Sequence, residues 1–295
     1  PLRNEYLSTS PARDQTKINY LSANLPSPFA NVPVIAGTSR AGNVISRAQL
    51  LAAHPQFTGV STFDYIGKSW YDGLSGTLTR RFSRGFTATA SYSFSKFLEQ
   101  TVRLNAGDAA PAKVISGVDF PHRVMFSGIY EIPFGSGRKF LSGVNSVASF
   151  FVSGWQMSPI YTYQSGPPVN IGDLIFTGDG MNKVPLSKSE RNIYRWFDTS
   201  QFNNNTAQQL GSHLRALSLR FGNLRTDAYN YWDVTLLKNM KIRENASMEF
   251  RVEALSVLNQ VCIGPPSMAV GTSFGKVTAQ RNVPRRTQFT LRFKF

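Results

Sequence analysis

The last eight residues of the chain, 288–295, constrain the fold more than any other segment. Side chains of a β-strand alternate between its two faces, and here one face is apolar and the other polar. The apolar set is Phe289, Leu291, Phe293 and Phe295. A terminal aromatic residue is unusual in a soluble protein, whose ends tend to fray and face water. The last strand of a membrane β-barrel must pair and turn an apolar face outward, although an edge strand of a soluble sheet also fits.

The composition narrows the class of protein. Hydrophobic residues make up 41% of the 295 residues and charged residues 17%. No apolar run approaches the ~20 residues that a transmembrane helix needs. The net charge is +15, but the basic residues are scattered or lie at strand ends and turns and accompany no nucleic-acid motif. We therefore expect no nucleic-acid partner.

Few residues of the sequence suggest a catalytic, metal-binding or phosphate-binding site. Cys262 is the single cysteine, which excludes an internal disulfide framework, and it has no histidine at a metal-ligand or nucleophile-pair spacing. Asp173 and Asp179 lack the spacing of a calcium loop. The Gly135-Ser-Gly-Arg-Lys139 turn lacks the pattern of a phosphate-binding loop. We assign no catalytic residue, no cofactor and no metal, and we expect that the chain is not an enzyme.

Seven segments alternate well enough to predict β-strands. The clearest is 86–97, where Phe, Ala and Tyr share one face and Ser and Thr the other. Arg84-Gly85 predicts a tight hairpin before it. In the fifth strand, Lys238 interrupts an otherwise apolar face. The predicted strands span about 69–83, 86–97, 122–134, 150–164, 229–243, 246–259 and 286–295.

Strand length and aromatic placement favour a membrane barrel over a soluble sandwich. The predicted strands run roughly 10–15 residues, whereas globular strands average ~5–6. Aromatic residues gather near strand ends, as in the girdles of a barrel at the two membrane interfaces. The candidate interfacial aromatics are Trp70, Tyr71, Tyr161, Tyr163, Tyr229, Tyr231 and Trp232.

The connections between the predicted strands alternate short and long. The short ones are 84–85, about 135–148 and 244–245, and the long ones are 99–121, 165–228 and 260–285. Outer-membrane barrels have short periplasmic turns and long extracellular loops. The alternation therefore predicts an all-β fold, an antiparallel up-and-down transmembrane β-barrel. Residues 1–68 are predicted to be mostly an extracellular loop, with one helical turn at 46–53.

An ordered set of short motifs, covering about residues 5–295, resembles the C-terminal barrel of Oar-like TonB-dependent receptors. No single motif is specific, but their order is. The motifs are Ser69-Trp-Tyr-Asp-Gly-Leu74, Thr89-Ala-Ser-Tyr-Ser-Phe-Ser-Lys96, Asp119-Phe-Pro-His-Arg123, Tyr130-Glu-Ile-Pro-Phe-Gly135, Gly154-Trp-Gln156, Tyr161-Thr-Tyr-Gln-Ser-Gly-Pro167, Arg195-Trp-Phe-Asp198, Trp232-Asp-Val234, Phe250-Arg-Val-Glu-Ala254, Phe274-Gly-Lys-Val277 and Pro284-Arg-Arg286.

The resemblance implies a receptor in the outer membrane of a Gram-negative bacterium. Such receptors have a barrel of 22 strands with a plug domain in its lumen, are energised by TonB, and often carry an N-terminal carboxypeptidase-regulatory-like domain. Seven or eight strands are too few to close such a wall. The sequence has no initiator Met, leader or plug, so we expect residues 1–295 to be the C-terminal part of the barrel.

The function implied is uptake of a ligand such as an oligosaccharide or a metal chelate. The expected partners are outer-membrane lipid, the barrel-assembly machinery, the plug domain of the same protein and, through it, TonB. Two alternatives remain open. One is a small self-contained outer-membrane barrel with a structural or adhesive role, and the other is a secreted soluble β-sandwich that binds a ligand.

Some residues are assigned to candidate roles within this scheme. Phe295 and its strand are expected to be read by the assembly machinery. Charged residues on the polar face, such as Glu249, Arg251 and Glu253, are expected to pair with each other rather than to bind substrate. Aromatic and amide side chains of the 165–228 loop can stack on and hydrogen-bond to a polar ligand, although Trp196 and Phe197 would equally serve to hold the loop in place. The candidate ligand-contact residues are Tyr194, Trp196, Asn203, Asn204 and Asn205.

Overall fold

The computed structural model describes residues 2–295; Pro1, where the predicted 1–68 segment starts, lies outside them. The segment before the large sheet contains α1 (Gln15–Ser22), β1 (Asn24–Pro26), β2 (Val44–Ser46) and α2 (Arg47–Leu50). Helix α2 confirms the helical turn predicted at 46–53. Helix α1 was not predicted; it begins where the Asp14 carboxylate accepts the Lys17 backbone N–H at 2.8 Å, and it buries Leu21.

The rest of the chain is mainly β-structure. In chain order, its strands are β3 (Lys68–Ser83), β4 (Phe86–Gln100), β5 (Val114–Ile115), β6 (His122–Glu131), β7 (Trp155–Gln164), β8 (Pro168–Asn170), β9 (Arg220–Arg225), β10 (Tyr229–Arg243), β11 (Ala246–Leu255) and β12 (Arg286–Lys294). Helix α3 (Ser146–Val152) precedes β7. Single 3₁₀ turns lie at Asn4–Tyr6, Pro33–Ile35, Met181–Lys183, Thr199–Gln201 and Thr206–Gln208. The α-helices of the described residues have 8, 4 and 7 residues, and none of them could span a bilayer.

The long strands form one antiparallel sheet in the order β12-β11-β10-β7-β6-β4-β3, and β5 pairs with β4. Strands β8 and β9 pair with each other within the 165–228 loop. Over the described residues β3 and β12 remain the two edges and do not pair, so the sheet is an open wall. The prediction of antiparallel, up-and-down barrel strands in a partial wall is confirmed.

The predicted strands are all present, with four differences of three or more residues at their ends. The second strand continues to Gln100 rather than ending at 97. Residues 150–154 were predicted to begin a strand but contain the end of α3 and a turn, so β7 starts at Trp155. The third strand ends at Glu131 rather than at 134, because Pro133 cannot donate to a neighbouring strand. The sixth ends at Leu255 rather than at 259, since Ser256 turns to a φ of 51° and its N–H donates to the Asp233 carboxylate at 2.7 Å.

Two glycines are required by the short connections. The β3–β4 hairpin turns through Arg84 and Gly85, with φ of 53° and 77°, as the Arg84-Gly85 pair predicted. Gly154 leads into β7 with φ of 75°, and a Cβ there would lie 2.4 Å from the carbonyl oxygen of Asn239 on β10. The glycine of the Gly154-Trp-Gln156 motif is therefore fixed by the close approach of two strands.

The register of the strands assembles one continuous apolar face. Residues opposite each other in a sheet share a face, and apolar residues lie opposite apolar residues from strand to strand. The aligned residues include Leu74 and Phe94; Ala90 and Phe126; Phe126 and Tyr161; Leu236 and Val252; and Val252 and Phe289.

The chain leaves much of this apolar face uncovered. Leu78 is 77% exposed and Phe289 is 68% exposed. Phe94 and Phe293 are also exposed, so they form no dry interior. An uncovered apolar surface of this extent marks a contact with a partner or a membrane.

The opposite face carries mainly hydroxyl and charged groups. Arg251 lies 3.6 Å from the Glu249 carboxylate and 3.3 Å from that of Glu253, and Lys294 pairs with Glu249 at 3.0 Å. The charges on this face pair with each other, as expected from the sequence.

The buried core lies in the long loops rather than beneath the sheet. It contains Val169, Ile171, Leu174, Val184, Trp196, Phe197, Phe202, Leu224, Phe274 and Val277, contributed by the 165–228 and 256–285 segments. The N-terminal segment packs on the 101–121 and 165–228 loops. Asn4 donates to Asp108 at 2.6 Å in the first loop. In the second, the Ser212 carbonyl accepts the Ser8 N–H at 2.8 Å and the Gln209 carbonyl accepts from Arg13 at 2.7 Å. The long loops thus form a packed cap at one end of the wall.

Candidate functional site

A cleft of about 610 Å³ lies where the loop cap meets the ends of β7 and β10. Its aromatic lining comes from Tyr163 on β7, Tyr231 on β10 and Trp196 in the cap. Its charged lining is Lys188, Arg191, Arg225 and Asp227. The strands therefore supply a rigid wall, and the cap supplies the charges.

Trp196 fixes one side of the cleft. Its ring is only 4% exposed, and its indole N–H donates to the Arg225 carbonyl at 2.8 Å. The Arg191 guanidinium lies over the ring, 5.2 Å from its centroid, within the range of a cation–π contact. Trp196 thus holds both the loop and a cation beside the cleft.

Arg225 is neutralised by a buried carboxylate. Its Nη2 donates to Asp119 Oδ2 at 2.5 Å, and its Nη1 donates to the carbonyls of Asp119 and Gly166. Asp119 is 1% exposed and also accepts the Phe97 N–H of β4 at 2.6 Å. The pair joins the 101–121 loop, the 165–228 loop and β4 beneath the cleft.

The far side of the cleft is held by Arg281 and Asp227. The Arg281 guanidinium lies 3.9 Å from the centroid of the Tyr229 ring and donates to Thr226 Oγ1 and to the Asp227 carbonyl, each at 3.0 Å. The Asp227 carboxylate accepts the backbone N–H groups of Ala228 and Ile263 at 3.0 and 3.1 Å. Both ionised groups are therefore engaged in holding the loops.

Cys262 lies in the lining as a buried free thiol. Burial raises the pKa of the Cys262 thiol above its usual value, so the thiol stays protonated near neutral pH. A protonated thiol is a poor nucleophile. The geometry gives Cys262 a packing role.

The cleft carries an excess of positive charge. Within the described residues, Lys188 and Arg191 form no salt bridge, and Arg191 Nε has no hydrogen-bond partner. The Asp227 carboxylate is already bound to backbone amides. Arg191 beside the Trp196 ring and Lys188 in the same lining suit a ligand that carries carboxylate, phosphate or sulfate groups.

The predicted ligand-contact residues are dispersed by the structure. Trp196 reaches the cleft lining, but its burial favours the loop-holding role that the sequence left open. Tyr194 is 72% exposed on the cap and does not line the cleft. The three asparagines serve the cap itself: Asn203 donates to Gln208, Asn204 exchanges two hydrogen bonds with Gly271, and Asn205 accepts the Ala207 N–H.

The candidate interfacial aromatics divide between the two faces of the sheet. Trp70, Tyr161, Tyr163 and Trp232 lie on the apolar face, where Tyr161 and Trp232 stack with ring centroids 4.6 Å apart. Tyr71, Tyr229 and Tyr231 lie on the opposite face. For Tyr71, Tyr229 and Tyr231 the assignment to a lipid-facing girdle is therefore wrong, because neighbouring residues along a strand point to opposite faces of the sheet.

The terminal strand places Phe289, Leu291 and Phe293 on the apolar face of β12. Phe295 follows the last residue of β12 and is fully exposed. Its role in assembly stays a prediction.

The sequence did not indicate the cleft. Lys188 and Arg191 are three residues apart, but Arg225 and Asp119 lie far from them in the sequence, and no spacing marks the four as a set. Three motifs of the resemblance contain residues in or beneath the cleft, but nothing in them indicated that they meet there: Asp119-Phe-Pro-His-Arg123, Tyr161-Thr-Tyr-Gln-Ser-Gly-Pro167 and Arg195-Trp-Phe-Asp198. The residues described hold no group of three or more His, Cys, Asp or Glu side chains suited to a metal ion.

Long antiparallel strands, an uncovered apolar face, short turns at one end and packed loops at the other define the wall of a membrane β-barrel. The sequence agrees with this class: residues 8–288 match the family model described as an outer membrane beta barrel domain. The chain belongs to this family, which contradicts the secreted soluble sandwich. No curated protein and no solved structure gives a match.

Family membership fixes the surroundings of the sheet. The protein resides in the outer membrane of a Gram-negative bacterium, and the apolar face meets lipid. The short turns then lie on the periplasmic side and the loop cap on the outside. The basic cleft therefore opens at the extracellular end of the wall.

Proposed function

We propose that this chain is barrel wall of a TonB-dependent receptor that takes up a ligand bearing negative charge, such as an anionic oligosaccharide or an anionic metal chelate. The observation that carries the proposal is the cleft at the extracellular end, where Arg191 stands beside Trp196 and neither Arg191 nor Lys188 forms a salt bridge with another described residue. A ligand arriving from outside meets the cap first.

Two further observations support a receptor of this kind. The ordered motifs, from Ser69-Trp-Tyr-Asp-Gly-Leu74 to Pro284-Arg-Arg286, resemble Oar-like TonB-dependent receptors. The wall is open at β3 and β12 over the described residues, which suits a larger barrel with room for a plug. In this scheme the plug domain occupies the lumen beside the polar face and transmits energy from TonB.

Binding to the intact protein tests the role of the cleft. The probes are an oligogalacturonate, a neutral maltohexaose of the same length and ferric citrate. We expect an anionic probe to bind at least about tenfold tighter than maltohexaose, and each of Lys188→Ala and Arg191→Ala to cost about tenfold in affinity, the worth of one charge-assisted hydrogen bond. Lys183→Ala is the matched control, because Lys183 is exposed on the same loop and pairs with Asp179 outside the cleft.

Uptake tests the dependence on TonB. Cells that carry the intact protein should accumulate the bound probe, and deletion of TonB should abolish accumulation while binding persists. Binding that is unaltered in Lys188→Ala and Arg191→Ala contradicts the role of the cleft. Equal accumulation with and without TonB contradicts the receptor and favours a structural or adhesive barrel.

A further inference from the structure

Lys238 is a charged residue on the face of the sheet that meets lipid. It shares that face with Trp155 and Phe250, its partners on β7 and β11. A lysine exposed to lipid near the middle of a membrane costs about 2–4 kcal/mol. Lys238 avoids the exposure, because it is only 4% accessible.

Helix α3 and the turn after it provide the cover. The Lys238 ammonium donates to the carbonyls of Phe151 and Ser153 at 2.9 and 2.6 Å and lies 5.2 Å from the centroid of the Trp155 ring. These carbonyls belong to the C-terminal end of α3, where a cation is favourable. The Trp155 indole N–H also donates to the Phe151 carbonyl at 2.9 Å. Two residues of the lipid-facing surface thus hold α3 against the outside of the wall.

The helix turns its apolar side away from the sheet. Val147, Phe150 and Phe151 are 71%, 40% and 64% exposed, and their i, i+3, i+4 spacing places them on one side. Of its two serines, Ser149 is half-buried, with its hydroxyl 3.0 Å from that of Ser153, and Ser146 is exposed at the first turn. A surface helix of a soluble domain points its largest apolar side chains inward, whereas α3 points them outward.

The position of α3 identifies what covers this apolar side. The helix lies in the connection 132–154, at the same end of the wall as the two-residue turns 84–85 and 244–245, which is the periplasmic end. Its exposed side continues the apolar face of β7 and β10, which meets lipid. Lys238 lies opposite Trp155, the first residue of β7, so α3 is held at the periplasmic end of that strand.

We propose that α3 is an interfacial helix that inserts Val147, Phe150 and Phe151 into the periplasmic leaflet of the outer membrane, and that Lys238 holds it there. The occupant of the apolar side is phospholipid acyl chain just below the headgroups. The inference does not depend on which ligand the barrel takes up.

Depth-dependent quenching in the intact protein tests the insertion. In a Cys262→Ser background, a single bimane label is placed through Phe151→Cys, and the protein is reconstituted in bilayers with lipids doxylated at carbon 5 or carbon 12. We expect strong quenching, with the carbon-5 lipid more effective than the carbon-12 lipid. Lys139→Cys, at an exposed residue of the same connection, is the matched control and should be quenched by neither.

Two results would overturn the insertion. A label at Phe151 that is unquenched by both lipids but accessible to aqueous iodide would place the helix in water. A label shielded from both lipid and iodide would show that protein, a second copy or a partner, covers this side of α3.

A second variant tests Lys238 itself. Lys238→Met keeps an unbranched side chain, one atom shorter, that cannot donate to the Phe151 and Ser153 carbonyls, so the anisotropy of the Phe151 label should fall. Lys241→Met, on the opposite face of β10, should leave it unchanged. If anisotropy is the same in both variants, Lys238 does not hold the helix. If Lys238→Met fails to assemble, the quenching of the Phe151 label still decides the insertion.

Discussion

Single residues of the cap link the loops to the sheet, and Asp119 is the clearest example. It is almost fully buried, it accepts the Phe97 N–H of β4, and it neutralises Arg225. A buried charge without its partner is strongly unfavourable. Asp119 therefore couples the extracellular loops to the wall of the barrel.

Asp119→Asn should loosen the loop cap. The amide can still accept the Phe97 N–H, but the Arg225 charge is left half-buried and uncompensated, at a cost of about 3 kcal/mol. Trypsin should then cleave the cap roughly a hundredfold faster under native conditions. Asp64→Asn is the control, since Asp64 pairs with Arg103 at 2.8 Å where both side chains are more than a third exposed and such pairs contribute about 0–1 kcal/mol. Equal cleavage rates in the two variants would contradict the coupling.

Asp198 gives the cap a dependence on acid pH. Burial alone would raise the pKa of its carboxyl, but hydrogen bonds from Ser200 and Gln201 and the ion pair with Arg195 outweigh it and lower the pKa to about 2 from 3.8. A pKa that is lower in the folded state stabilises the fold above the unfolded value, and the contribution is lost as pH falls through the folded value. The contribution of Asp198 should therefore disappear between about pH 4 and pH 2.

Comparison with Asp198→Asn checks this pH range. Pepsin should cleave the cap of the variant faster than that of the natural protein at about pH 4, and the two rates should converge near pH 2. A difference that persists unchanged to pH 2 would show that the carboxylate charge is not responsible.

At the scale of strands and helices, alternation of residue types predicted the sheet well. The strand at 86–97 and its Arg84-Gly85 turn followed from local pattern, because side-chain period and positive φ are local properties. The end of helix α3, residues 150–152, was predicted as the start of a strand. Its place on the lipid side depends on hydrogen bonds to Lys238, which lies more than 80 residues further along the chain. Contacts of that range leave no local signal.

The packing of the cap and the position of its cleft could not be predicted from the sequence either, because they also depend on contacts between residues far apart in the chain. Asn203, Asn204 and Asn205 look like free hydrogen-bonding groups in a polar loop, yet each is engaged within the cap. Trp196 finds its partner in the Arg225 carbonyl. The composition of a loop indicates which groups are available, but only the fold decides which of them stay free for a ligand.

The terminal strand should matter to assembly as well as to the final wall. Phe295 lies just beyond β12, where no residue of the described chain covers it. We predict that Phe295→Asp lowers the yield of folded, heat-modifiable barrel on gels of membranes from cells expressing the intact protein. Thr290→Asp adds the same charge to the polar face of the same strand and should have little effect. A normal yield of the Phe295→Asp variant would refute the role of the terminal aromatic residue.

The molecule as a whole is a two-sided wall with a cap at its extracellular end. Its large apolar residues lie mostly on one face of the sheet and stay uncovered, its polar residues lie on the other, and its dry core is confined to the loops. In a soluble sandwich the apolar faces would meet each other. The roles assigned to the cleft, the cap and α3 all depend on the direction of the apolar face, because that direction decides which side of the wall meets lipid and which side faces the lumen.

Spin labels at two neighbouring residues of β3 measure that direction. Leu78 lies on the apolar face and Thr77 on the polar face. Two variants of the intact protein, Leu78→Cys and Thr77→Cys, each in a Cys262→Ser background, carry the spin label and are reconstituted in a bilayer. Collision with oxygen, which concentrates in lipid, should dominate at position 78, and collision with a water-soluble nickel chelate should dominate at position 77. The reverse order, or equal access of the nickel chelate to both positions, would contradict the outward apolar face.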